Sequence, residues 1–90
     1  MLTSSVDVLW TARYDYQPAW KLEVHEHDYF QIIYFLSGSG SFLLDGHEQP
    51  TTHGDLFLIK PHQLHGLTVG SVVKTLDIKF VVKDAHLQRT

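Results

Sequence analysis

Apolar and polar residues alternate with a period of two along most of this 90-residue chain, the signature of strands with one buried and one wet face. Val6, Val8, Trp10, Ala12 and Tyr14 alternate with Asp7, Leu9, Thr11 and Arg13 until Gln17-Pro18 interrupts the run, which predicts a first strand and a turn. Alternation resumes at Trp20, Leu22 and Val24 against Lys21, Glu23, His25 and His27, and the aromatic and branched run from Tyr29 to Leu36 predicts a longer strand. Ser37-Gly38-Ser39-Gly40-Ser41 separates two apolar runs and reads as a hairpin connection. Asp45-Gly46 is the strongest short hairpin signal, because a type I′ turn needs positive φ at both central positions. A turn over Pro50 to Gly54 leads into Leu56-Phe57-Leu58-Ile59, a short apolar strand ended by Pro61. A strand from Gly66 to Val69 is broken by Gly70, and in the last strand Leu76, Ile78, Phe80 and Val82 alternate with Thr75, Asp77, Lys79, Val81 and Lys83.

Seven or eight short strands and no helix predict an all-β sandwich or barrel, with Leu22, Val24, Ile32, Tyr34, Phe57, Ile78 and Phe80 buried or half-buried. The length suits one domain over residues 1–90, and 43% hydrophobic with 19% charged residues suits a folded one. Seven Lys plus Arg against ten Asp plus Glu leave a net charge of -3 without a basic run, so neither DNA nor an anionic membrane is an expected partner of this chain by itself. The absence of cysteine excludes disulfides, thiolate metal sites and cysteine nucleophiles. The first residues show no basic segment followed by an apolar one, and the expected location is the cytoplasm. An apolar edge along Val6 to Tyr14 predicts a homodimer.

Histidine changes the picture, because seven imidazoles in 90 residues are an unusual supply of metal ligands and near-neutral proton carriers. On one strand His25 and His27 share a face with β-carbons about 6–7 Å apart, Gln31 lies further along it, and His65 returns after the turn Lys60-Pro61-His62-Gln63-Leu64. These four either hold a metal or hydrogen-bond a ligand or water. His47, His53, His62 and the tail residue His86 read as surface histidines. Trp10, Trp20, Tyr29, Tyr34, Phe35, Phe42 and Phe57 form an aromatic set that mostly fills the core, and Tyr29, Tyr34, Phe57 and Trp20 are the candidates to contact a small ligand.

His25-x-His27 followed by Gln31 and Gly38, with Gly54-Asp55 through His65, resembles the two motifs of the cupin superfamily. The rhythm from Ile33 to Gly46 is similar to the ligand-sensing N-terminal domains of AraC-type bacterial transcription regulators. The resemblance covers about residues 20 to 70 and implies a small double-stranded β-helix (cupin, jelly-roll) barrel that forms the N-terminal part of a longer regulator. It also implies a divalent metal on His25, His27, Gln31 and His65. Gln31 stands where the family has an acid, which leaves a neutral ligand set and favours Zn, Ni, Cu or Co over Mg or Mn. Two functions follow: a sensor of a small, sugar-like molecule, or a small metal-dependent enzyme of the dioxygenase or isomerase type. The sensor is preferred, because it needs a shaped pocket with a few polar anchors, whereas the enzyme needs an acid at position 31 and a group to move protons.

Overall fold

A computed structural model describes residues 5–83. Eight strands run as β1 (Ser5–Tyr16), β2 (Lys21–His25), β3 (Phe30–Ser37), β4 (Gly40–Leu44), β5 (His47–Thr51), β6 (Leu56–Ile59), β7 (His65–Val69) and β8 (Val73–Lys83). They form two four-stranded antiparallel sheets in the orders β1-β8-β3-β6 and β2-β7-β4-β5, and apart from the β4–β5 hairpin the chain changes sheet at every connection. This is the expected all-β jelly-roll barrel. The tail, with His86, lies outside the described residues.

The hairpin at Asp45-Gly46 forms as its composition demands, with φ of 49° and 80° at the two positions. Ser37 to Ser41 is not a hairpin, because β3 and β4 belong to different sheets and the segment carries the chain between them. Gly38 is indispensable there: its φ is 91°, and a Cβ on it would stand 1.9 Å from the Val72 carbonyl oxygen.

Inner faces of the two sheets meet in a core of Ile33, Phe35, Phe42, Ile59, Leu67, Val69 and Val73, against which Tyr16, Leu22, Leu44 and Phe57 pack. The expected core positions divide. Leu22, Ile32, Tyr34, Phe57 and Phe80 are half-buried, whereas Val24 and Ile78 are exposed. In β8 the buried residues are Val73, Thr75 and Asp77, the opposite phase to the apolar one. The reason lies in register, since Asp77 is set opposite the inward-facing Ile33 and Thr75 opposite Phe35, so the polar face of β8 turns inward. A second phase change occurs in β1, where Leu9 is an extra residue between the pairs Val8↔Phe80 and Trp10↔Lys79. One bulged residue flips the side-chain alternation, so Val6 and Val8 point outward while Trp10, Ala12, Tyr14 and Tyr16 point inward.

Candidate metal and ligand site

One end of the sandwich is apolar and the other is polar. At the polar end β2 and β7 set His25 directly opposite His65. The β2 strand stops at His25, and His27 lies in the bend that carries the chain to β3. Its carbonyl accepts a 2.7 Å hydrogen bond from the His62 backbone N–H, which ties this bend to the turn before β7. That turn is held in place by the hairpin: Asp45 accepts from the Leu64 N–H at 3.2 Å and from the Gln63 amide at 2.7 Å, and the Asp45 N–H donates to the Leu64 carbonyl at 2.8 Å. Two connections and one hairpin tip thus fix the angle between His27 and His65.

The three rings converge. Centroids of His25 and His65 are 4.2 Å apart, those of His27 and His65 4.8 Å, and one ligand nitrogen from each ring lies within 4.8 Å of the others. Each Nδ1 sits against a backbone carbonyl two residues away, Glu23 for His25 at 2.9 Å, Tyr29 for His27 at 2.8 Å and Gln63 for His65 at 2.8 Å. A carbonyl only accepts, so Nδ1 carries the proton in all three and a neutral ring leaves the Nε2 lone pair for the site. Such a shell orients imidazoles toward a metal. His65 is 2% exposed and its Nε2 is buried with no hydrogen-bond partner, the type of orphan that a native interior seldom tolerates. Burial pushes the His65 pKa below the usual imidazole value, an effect that His25, His27 and Lys79 reinforce against the opposing Gln63 hydrogen bond, so the neutral, ligating form is favoured.

Gln31 completes the group from the other sheet. Its Oε1 is 3.0 Å from His27 Nε2, and its Nε2 donates to Asp77 Oδ2 at 2.6 Å. Asp77, 2% exposed, also accepts from the Thr75 hydroxyl at 2.6 Å, and burial raises its pKa against the lowering effect of these two donors. The amide is thereby turned with its oxygen toward His27. Two acceptor lone pairs at that distance repel unless a proton or a cation lies between them.

A row of aromatic rings leads away from the histidines along the inward face of β1. Tyr29 stacks on His27 at 3.9 Å and meets Trp10 at 5.8 Å, while Tyr14, Tyr16 and Trp20 follow with centroid separations of 5.7 and 5.0 Å. The Lys79 ammonium sits 4.3 Å from the Trp10 ring centre and 5.8 Å from that of Tyr14. Both tryptophans are exposed, so the row borders open space.

Of the residues singled out in the sequence, the structure brings together His25, His27, Gln31, His65 and Tyr29, and it sets Trp20 at the far end of the aromatic row. It does not bring Tyr34 or Phe57 there. Tyr34 alternates with the buried Ile33 and Phe35 and pairs with Leu56 and Leu76, so its ring is on the outer face, and Phe57 packs against Phe35 and Phe42 in the core. His47, His53 and His62 are exposed, and His62 pairs with Glu26 at 3.2 Å. Sequence reading missed Asp77, Thr75, Lys79, Tyr14 and Tyr16. The available signal was Thr75-x-Asp77-x-Lys79, a polar file at alternate positions of an otherwise apolar strand.

A family model of the AraC-like ligand binding domain matches residues 10–79. The chain belongs to that family. Among solved structures it is similar to a predicted oxalate decarboxylase from Thermotoga maritima, with 23% identity, TM-score 0.76, and coverage of 82% of this chain and 67% of that one. An RmlC-like cupin from Shewanella frigidimarina matches at 22% identity and TM-score 0.76 over 86% of this chain and 75% of the other. The KdgF structure from Halomonas sp. matches at 16% identity and TM-score 0.72 over 93% and 83%. At these identities the likeness is one of fold, and the fold is the cupin barrel. No curated protein sequence matches the chain. Among the described residues no helix is long and apolar enough to cross a membrane.

Proposed function

We propose that this AraC-like ligand-binding cupin domain is the small-molecule sensor of a cytoplasmic, homodimeric transcription regulator, forming its N-terminal part and leaving DNA contact to other segments. In this reading His25, His27 and His65 hold a divalent transition metal, Zn, Ni, Cu or Co, with the Gln31 oxygen as a weaker fourth ligand. A bound metal supplies a Lewis-acid centre that can take an oxygen of the small molecule. The observation that carries the proposal is the set of three imidazoles, each with Nδ1 against a carbonyl, around the unpartnered Nε2 of the buried His65. Tyr29, Trp10 and Trp20 offer flat faces on which a sugar-like ring can stack.

The enzyme reading shares the histidines. It is weaker here because Gln31 replaces an acid and because the nearby carboxylate, Asp77, is already engaged by Thr75 and Gln31. Elemental analysis of untagged protein tests the metal, with one ion per chain expected. Titration with neutral monosaccharides, followed by the fluorescence of Trp10 and Trp20, tests the pocket. Protein free of metal whose melting temperature ignores both chelator and added zinc would overturn the metal assignment, and no saturable fluorescence change across the monosaccharides would overturn the sugar-like ligand.

A further inference from the structure

Most cations of the strands have an evident place. Arg13, Lys21 and Lys83 each have a carboxylate within 4.0 Å, those of Asp15, Glu23 and Asp7, and register turns Lys74 to the outer face. Lys79 is the exception. On β8 it continues the inward file of Thr75 and Asp77, and its neighbours across the strands are Trp10 on one side and Gln31 on the other. Its side chain therefore stands on the inner face, between Trp10 and the amide whose oxygen faces His27. Lys79 is half-buried, and among the described residues no carboxylate oxygen lies within 4.0 Å of its ammonium. Charged side chains in such a setting ordinarily have a partner. The carboxylate next along the same face, Asp77, is engaged at both oxygens, Oδ1 by the Thr75 hydroxyl at 2.6 Å and Oδ2 by the Gln31 amide at 2.6 Å.

Aromatic rings hold the ammonium instead. It sits 4.3 Å from the ring centre of Trp10 and 5.8 Å from that of Tyr14, an attraction that fixes the charge without using its N–H donors. Trp10 is 44% exposed, and Tyr29, 5.8 Å from it, stacks on His27, so the charge is held at the wall of the space where the aromatic row meets the histidines. The rest of that wall is neutral: the histidines offer Nε2 lone pairs and Gln31 an amide oxygen. A neutral polyol needs only such hydrogen-bonding groups, and covering an unpaired ammonium would weaken its binding. An anion gains from the same charge. One ammonium balances the single charge of a carboxylate, whereas a phosphate ester brings about two at pH 7 and would leave one uncompensated in a half-buried site.

We propose that Lys79 is the anion anchor of this site and that the small molecule taken there carries a carboxylate, a sugar acid of the hexuronate type rather than a neutral sugar. The sugar-like ring rests on the sensor reading above, to which Lys79 adds the acid group, and neither requires that the histidines hold a metal. Titrations with glucuronate, galacturonate and mannuronate beside glucose, galactose and mannose, followed by the fluorescence of Trp10 and Trp20, test it, because each pair differs at one carbon. At least one hexuronate should bind about 10- to 100-fold tighter than its parent hexose, the effect of a hydrogen bond to a charged group. That advantage should shrink as salt rises from about 10 mM to about 1 M, while hexose binding stays as it is. Lys79→Met keeps the apolar stem against Trp10 and removes the charge, so it should bind hexuronate and hexose alike, with hexose affinity within about threefold of wild type. Circular dichroism reports whether the variant folds, and Lys79→Gln serves if it does not. Wild-type protein that binds each hexose as tightly as its hexuronate overturns the anchor and leaves the sensor reading standing. A preference that survives Lys79→Met also overturns it and assigns the carboxylate to the histidines. No response to any of these sugars overturns both readings.

Discussion

His65 is the residue on which the site turns, being buried, neutral and without a partner for Nε2. Metal binding requires that lone pair, so His65→Ala and His27→Ala should each abolish stoichiometric zinc uptake, measured by elemental analysis after dialysis. Gln31→Glu should tighten it by adding a negative charge beside the ion, and His53→Ala, in an exposed turn, should leave it unchanged. The same residue gives metal-free protein a pH dependence of defined sign. Because the folded pKa of His65 lies below the ordinary 6.5, the unfolded chain takes up a proton that the fold refuses, so stability is fully present above about pH 6.5 and is lost as pH falls toward the lowered value. Asp77 acts with the opposite sign: its raised pKa means that the fold holds a proton which the unfolded chain releases, so its contribution is lost as pH rises upward from 3.8. Through His65 the unfolding free energy of metal-free protein, from urea titrations between pH 5 and 7, should rise with pH by up to about 1.4 kcal/mol per unit, less whatever Asp77 takes away, and His65→Gln should remove the rising part. A slope unchanged in His65→Gln would assign the dependence to another group.

At the scale of the element, the period of two locates the strands but not which of their faces is buried. On β3 the sharing of one face by Gln31, Ile33 and Phe35 was legible from the alternation, but that this face is the buried one was not, since Ile32 and Tyr34, expected in the core, lie on the outer face. The β8 face was not legible either, since its apolar residues Leu76 and Ile78 point outward, while its polar file faces inward, where Asp77 accepts from Gln31. Leu9 hid the same reversal in β1, because a bulge leaves no mark in the pattern of apolar residues. Histidine ligands were legible through their spacing, but Asp77 comes from a strand remote in sequence and shows itself only once β8 lies beside β3. Connections carry consequences that can be measured. Gly38→Ala sets a methyl group against a backbone carbonyl at a positive φ and should cost about 3 kcal/mol or more in urea unfolding. Asp45→Ala should remove the hydrogen bonds to Leu64 and Gln63, weaken zinc binding several-fold by loosening the turn before His65, and cost about 1–2 kcal/mol. Asp45→Asn keeps an acceptor for Leu64 and tolerates positive φ, so it should recover most of both losses. Equal zinc affinity in Asp45→Ala and wild type would show that the turn holds its shape without the hairpin tip.

For the whole molecule, a net charge of -3 without a basic run gives nucleic acid little to grip, so the chain alone should show no sequence-dependent gel shift at physiological salt. The metal acts on the same scale. His25 and His65 belong to one sheet, Gln31 to the other, and His27 to the bend between them, so one ion would fasten both layers at the end of the barrel opposite the hydrophobic core. Without an ion that end depends on the hydrogen bonds of Gln31, Asp77 and Thr75, and on the lone pairs of His27 and Gln31 finding a proton to share. An ion that binds the fold and not the unfolded chain, present at 100 times its dissociation constant, adds about 2.7 kcal/mol. In a domain of this size about 1 kcal/mol moves the melting temperature by roughly 4–8 °C, so chelation should lower it by roughly 10–20 °C and zinc should restore it. His27→Ala should melt where chelated wild type melts and no longer respond to either reagent. A wild-type melting temperature that stays put under chelation, with Trp10 and Trp20 fluorescence still responding to a monosaccharide, would leave the histidines as hydrogen-bonding groups of a metal-free pocket.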